Sequence, residues 1–215
     1  MRQQLQILSV TVCMLLFTGM AKAQFGVGGG LAFNHYKGEG FKGSFPAFQL
    51  RLSYDGRSTP FFINAGFNLS PKKVIKNQAV DILTPVGVQE NNLQQQATIN
   101  NAFLHGGYAF APGDNDDFRV RLFAGASMDF ISVKFRWQEP LPASYPKNLY
   151  MDTSMTNTKA DVGAGVDFRI GSGRLFADLT FAFPLSADDK VPIFVGHRGF
   201  SLGYSYTFGG RRNYW

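Results

Sequence analysis

From 158 to 170 the chain reads TKADVGAGVDFRI: Ala160, Val162, Ala164, Val166, Phe168 and Ile170 alternate with Asp161, Gly163, Gly165, Asp167 and Arg169. A period of two is that of a β-strand with two unlike faces. Seven further segments repeat it, with apolar faces over 25–33, 48–54, 61–69, 102–110, 118–130, 175–183 and 200–208. The pattern predicts eight strands. Each apolar face is long enough for a strand tilted across a bilayer.

The connections alternate in length. DGRST, APGDNDD and GSG are short and carry hairpin-turn chemistry. Those over 71–97 and 136–157 are long, and those over 36–44 and 185–197 are of medium length. An up-and-down barrel with both chain ends on one side gives this rhythm, with short turns at one mouth and longer loops at the other.

Which face meets water follows from size. The polar alternate face carries Asn34, Gln49, Asn64, Asn68, His105, Ser201, Ser205, Thr207 and many glycines beside its charges. An eight-stranded barrel has an interior only wide enough to be filled by side chains. Small and polar residues fit there; a face rich in Phe and Tyr does not. The aromatics therefore point outward to lipid. The composition agrees, with 22 Phe, 8 Tyr and 24 Gly, and only 17% charged residues against about 25% in soluble proteins.

The first 23 residues have the form of a secretory signal peptide: Arg2, an apolar centre, then Ala21-Lys22-Ala23. The cut falls between Ala23 and Gln24, and residues 24–215 form the barrel domain. Cys13, the one cysteine, lies in the signal, and no apolar run long enough for a spanning helix follows it.

The signal, the eight amphipathic segments and the closing GFSLGYSYTF resemble the small outer-membrane β-barrel proteins of Gram-negative bacteria, both OmpA/OmpX-like and porin-like. The resemblance covers nearly the whole mature chain. It implies an all-β, eight-stranded antiparallel up-and-down transmembrane β-barrel in the outer membrane. It also implies that Tyr204, Tyr206 and Phe208 form the signal read by the barrel-assembly machinery. The tail GGRRNYW departs from that pattern by extending past Phe208.

Inside the barrel, Arg51, Arg119, Arg121, Arg169 and Arg174 face Asp129, Asp161, Asp167 and Asp178. Buried charges are costly unless paired, and Arg with Asp pairs in a fork. The expected arrangement is a plugged core, with Asp167 and Asp178 almost opposite each other across the GSG turn and bridged by guanidinium groups. His105 is expected to be a hydrogen-bonding core residue. His35 and His197 fall near one rim, where a metal pair is conceivable but no ligand spacing supports it.

The net charge of +6 has an address at the outer rim. Lys37, Lys42, Lys72, Lys73, Lys76, Lys134, Arg136, Lys147, Lys159, Lys190 and Arg198 stand there against Glu39, Asp81, Glu90, Glu139, Asp152, Asp188 and Asp189. Cations at this level can bind the phosphorylated lipid of the outer leaflet, so nucleic acid is not needed to explain the charge. GVGGGL lacks the spacing of a nucleotide loop, no cofactor is implied, and no catalytic triad can be assigned. The expected function is non-enzymatic: a structural or surface-interaction role, with the loops meeting an extracellular or envelope protein partner. A narrow porin and a lipid-modifying barrel enzyme are the alternatives.

Overall fold

The computed structural model describes residues 23–38, 41–56, 60–84, 87–112, 117–139, 152–186 and 196–208. The expected signal segment up to residue 22 and the tail after Phe208 lie outside them.

The chain forms nine antiparallel strands: β1 (Ala23–Gly38), β2 (Phe41–Gly56), β3 (Phe61–Leu69), β4 (Lys73–Thr84), β5 (Gly87–Phe110), β6 (Phe118–Trp137), β7 (Thr153–Ile170), β8 (Gly173–Ser186) and β9 (His197–Phe208). Apart from β3 and β4, neighbours in sequence pair in order. The pairing of β1 with β9 and of β3 with β5 closes a ring of eight strands. Closure leaves no unpaired edge within the ring.

The ninth strand corrects the expected long connection over 71–97. That segment is a hairpin, in which β4 pairs with the first half of β5. β4 runs in the same direction as β3, because both are antiparallel to β5. The two form one barrel strand interrupted at Ser70–Lys72. The reason is local: Pro71 has no N–H to donate to a ladder, and the Ser70 amide donates to the Asn100 side chain instead, at 3.1 Å. The interruption lets β4 leave β2, whose pairing with β3 starts only at Phe48. Lys73 Nζ spans the split and donates to the Ser44 carbonyl at 2.7 Å.

The strands also outrun their apolar faces. β5 has 24 residues and β6 has 20, against roughly 10 needed to cross a bilayer. Their excess stands as a wall above the end of the barrel opposite the short turns. At the other end, Gly171 takes φ +60° in the two-residue turn that closes Ile170 onto Gly173, a conformation that glycine adopts without strain.

The alternation places the aromatic and aliphatic face outside. Leu50 is 59% exposed and Leu179 53%, and residues of this kind form a continuous belt. The interior is polar for most of its length, yet it ends under an apolar cap of Tyr36, Phe45, Ala97, Ile99, Ile131 and Val133. That cap lies in the part of the strands above the belt.

Candidate functional site: an ion-paired lumen

Every inward charge sits on an alternate position of its strand, so the backbone period delivers it to the lumen. The register then sorts the charges into three tiers.

The tier nearest the chain ends links three guanidinium groups, those of Arg51, Arg119 and Arg121, to three carboxylates. Arg119 Nη2 donates to Asp167 at 2.7 Å and to Asp55 at 3.2 Å. Arg121 Nη2 donates to Asp178 at 2.6 Å, and its Nε lies 3.1 Å from Asp167. Arg51 Nη1 donates to the other oxygen of Asp178 at 2.8 Å. The ring of Phe176 lies 4.2 Å from the Arg51 guanidinium, and that of Phe62 5.4 Å from Arg121. Arg174 is also buried here, while Arg169 is half-buried at the rim.

Asp167 and Asp178 are not directly opposite. Asp167 pairs with Phe176, and Asp178 with Gly165, two residues along the strand. The offset is the width that one guanidinium needs to touch both. A Cβ on Gly165 would collide with Asp178 Oδ1, so the bare glycine makes room for that carboxylate.

The middle tier is built around one carboxylate and no arginine. His105 Nε2 and Asp161 are 2.9 Å apart, and Ser127 Oγ donates to the other oxygen of Asp161 at 2.9 Å. The His105 ring is stacked between Phe103 and Phe123, with both centroids 4.9 Å away. This carboxylate stands between serine and histidine, so the histidine cannot act as base toward the hydroxyl.

The upper tier centres on Lys159, which is fully buried. Its ammonium donates to Asp129 and to His197 Nδ1, each at 2.5 Å. The ring proton of His197 is thereby left on Nε2. Asn101 donates to the second oxygen of Asp129 at 2.9 Å and accepts from Asn68 at 3.1 Å. The Tyr36 hydroxyl reaches the same oxygen at 3.4 Å.

Two expectations are corrected by these tiers. Asp129 and Asp161 do not pair with arginine, because the arginines lie several residues nearer the chain ends. Lys159 is not a rim cation. It shares its parity with Asp161 and Asp167 and points into the lumen, where it neutralises Asp129. Asp55 is a lumen carboxylate that the sequence reading does not include, although it alternates inward with Arg51 along β2.

The histidine rim pair separates. His35 and His197 lie on neighbouring strands, but the register sets Tyr36 against His197 and His35 against Arg198. His35 therefore faces outward and His197 inward. Among the described residues no group of three or more metal-ligating side chains occurs. His35 Nδ1 does meet Ser44 Oγ at 2.9 Å on the outer face, but no carboxylate contacts that ring among the described residues. Of the expected rim charges, Glu39, Lys147, Asp188, Asp189 and Lys190 lie outside the described residues.

The tiers leave little space. A void of about 30 Å³ reaches from Arg51 and Asp178 up to Asn34 and His197, and one of about 20 Å³ lies below among Arg51, Arg119, Asp167 and Thr207. Each has room for a water or two.

A closed ring with an apolar belt outside and paired charges inside is the construction of a transmembrane barrel. The family model of the outer membrane protein beta-barrel domain matches residues 8–208. The chain belongs to that family. It is a protein of the outer membrane, and its apolar belt faces lipid. In barrels of this kind the short turns lie toward the periplasm and the longer connections toward the cell exterior.

Three solved barrels are similar to it. Ail, the attachment invasion locus protein of Yersinia pestis, in complex with the heparin analogue sucrose octasulfate, has TM-score 0.52 at 16% identity, over 87% of this chain and 99% of that one. A major outer membrane protein from Thermus thermophilus has TM-score 0.57 at 16% identity, over 86% and 99%. OprG from Pseudomonas aeruginosa has TM-score 0.51 at 13% identity, over 87% and 97%. At these identities the likeness is one of fold. No curated protein matches the sequence.

Proposed function

We propose that the protein is a sealed, non-enzymatic outer-membrane barrel that meets other molecules through its outer wall and extracellular loops. The observation that carries this reading is the lowest tier. Arg51, Arg119 and Arg121 are locked to Asp55, Asp167 and Asp178 across the lumen. Each carboxylate lies against at least one guanidinium, and such charge-assisted pairs are the strong ones. An ion would have to break them to pass, then cross the apolar cap. The extended β4–β6 wall is the surface for an extracellular or envelope partner, since rigid scaffolds present specificity at their loop ends.

Single-channel recording in planar bilayers tests the seal. The unmutated protein should show no stable conductance, and large steady conductance would replace this reading with that of a porin.

A further inference from the structure

On the outer wall of β5, β6 and β7 the side chains change character abruptly. The lipid-facing row of Leu104, Ala126 and Ala160 is apolar, and the next, Ala102, Met128 and Thr158, carries one hydroxyl. Two rows rich in hydrogen-bonding groups stand above them. Asn100 and Thr156 flank Phe130 in the first, and Thr98, Ser132 and Ser154 form the second. These six, together with Ile131 and Met155, line an open depression of about 430 Å³, within the range of small-molecule sites. The exposed ring of Phe130 forms its floor on the membrane side. In the row above, exposed Lys134 pairs with Gln96. Arg136, further up, is neutralised by Asp152 at 3.5 Å.

The geometry points to a binding site on this wall for the phosphorylated sugar headgroup of an outer-leaflet glycolipid. The level is that of the membrane–water interface, one row above the end of the apolar belt. An acyl chain has no use for five neutral hydrogen-bonding side chains, and a bare phosphate would call for a cluster of cations. A pyranose ring offers hydroxyls to Thr98, Ser132, Ser154, Thr156 and the Nδ2 of Asn100, whose Oδ1 is held by the Ser70 amide, and an apolar face to Phe130. A phosphate on that ring would lie toward Lys134. The acyl chains would continue downward over Met128 and Ala102, along the belt. This site lies outside the barrel and does not depend on the sealed lumen.

The test uses the full chain in phosphatidylethanolamine vesicles. One set is doped with a diphosphorylated disaccharide glycolipid, the other with phosphatidylglycerol at matched charge. Two quantities are read: the temperature at which the folded gel band is lost, and the glycolipid retained per barrel by native mass spectrometry. The glycolipid should raise the temperature above the phosphatidylglycerol value. Ser132→Val with Thr156→Val keeps strand propensity but removes two hydroxyls, and should lower retention roughly tenfold. Lys134→Gln should lower it severalfold. Equal shifts from both lipids, or undiminished retention in the valine variant, would overturn the site. Because both variants lie on the outer wall, their folded band in phosphatidylglycerol serves as the control for folding.

Discussion

Replacing Arg121 by Met tests whether the lowest tier acts as a unit. The methionine keeps most of the volume against Phe62 and removes the cation that touches both Asp167 and Asp178. Each of those carboxylates then loses one of its two guanidinium partners. Breaking a dry buried ion pair costs about 3–5 kcal/mol. Two features reduce that figure here. Asp178 keeps Arg51 at 2.8 Å and Asp167 keeps Arg119 at 2.7 Å. The void of about 20 Å³ beside them can admit water to the stranded charge. The expected loss is therefore about 2–3 kcal/mol. Urea unfolding in lipid vesicles, followed by the fluorescence of the 2 tryptophans, measures it as a lower midpoint at unchanged slope. Adding Asp178→Leu removes one of the two carboxylates that the first change leaves under-paired. The double variant should recover more than half of the loss. If Arg121→Met lies within about 0.5 kcal/mol of the parent, or if the two losses simply add, the tier is not a coupled network and the argument for the seal fails with it.

Leu179, outward and 53% exposed, lies in the middle of the lipid belt. Leu179→Arg should cost about 2–4 kcal/mol at the bilayer midplane, read in the same unfolding assay, and a silent change would mean that this face does not meet lipid. Tyr204, Tyr206 and Phe208 all point outward on the last strand, and we propose that they are read by the assembly machinery. Alanine at Tyr206 and Phe208 should lower the amount of folded protein in outer-membrane fractions, and unchanged recovery would move the signal into the tail beyond Phe208.

The belt and the ring are legible in the sequence because the strand period leaves no choice. Once Val162 faces one way, Asp161 and Gly163 face the other, and the bulk of Phe168 or Phe181 cannot fit a narrow lumen. The same rule already contains Lys159 and Asp55, which share parity with Asp161 and Arg51. Lys159 escapes it because it stands just before the apolar face begins, where the alternation gives no signal that the strand continues.

The sequence alone could not decide which charges meet. Asp129, Asp161 and Asp167 are equivalent by period, all inward on two adjoining strands. Their partners are Lys159, His105 and the pair Arg119 and Arg121, and that choice comes from barrel closure and register. Closure brings β2 and β8 within reach across the lumen, and a shift of two residues separates a repelling Asp167–Asp178 pair from one bridged by Arg121. The strand β4 is hidden for a related reason. Its polar segment has no lipid to face, so it lacks the apolar alternation that betrays the others. It is held by the ladder that β5 offers and by the packing of Ile75 against the cap, both of which exist only once the barrel has formed.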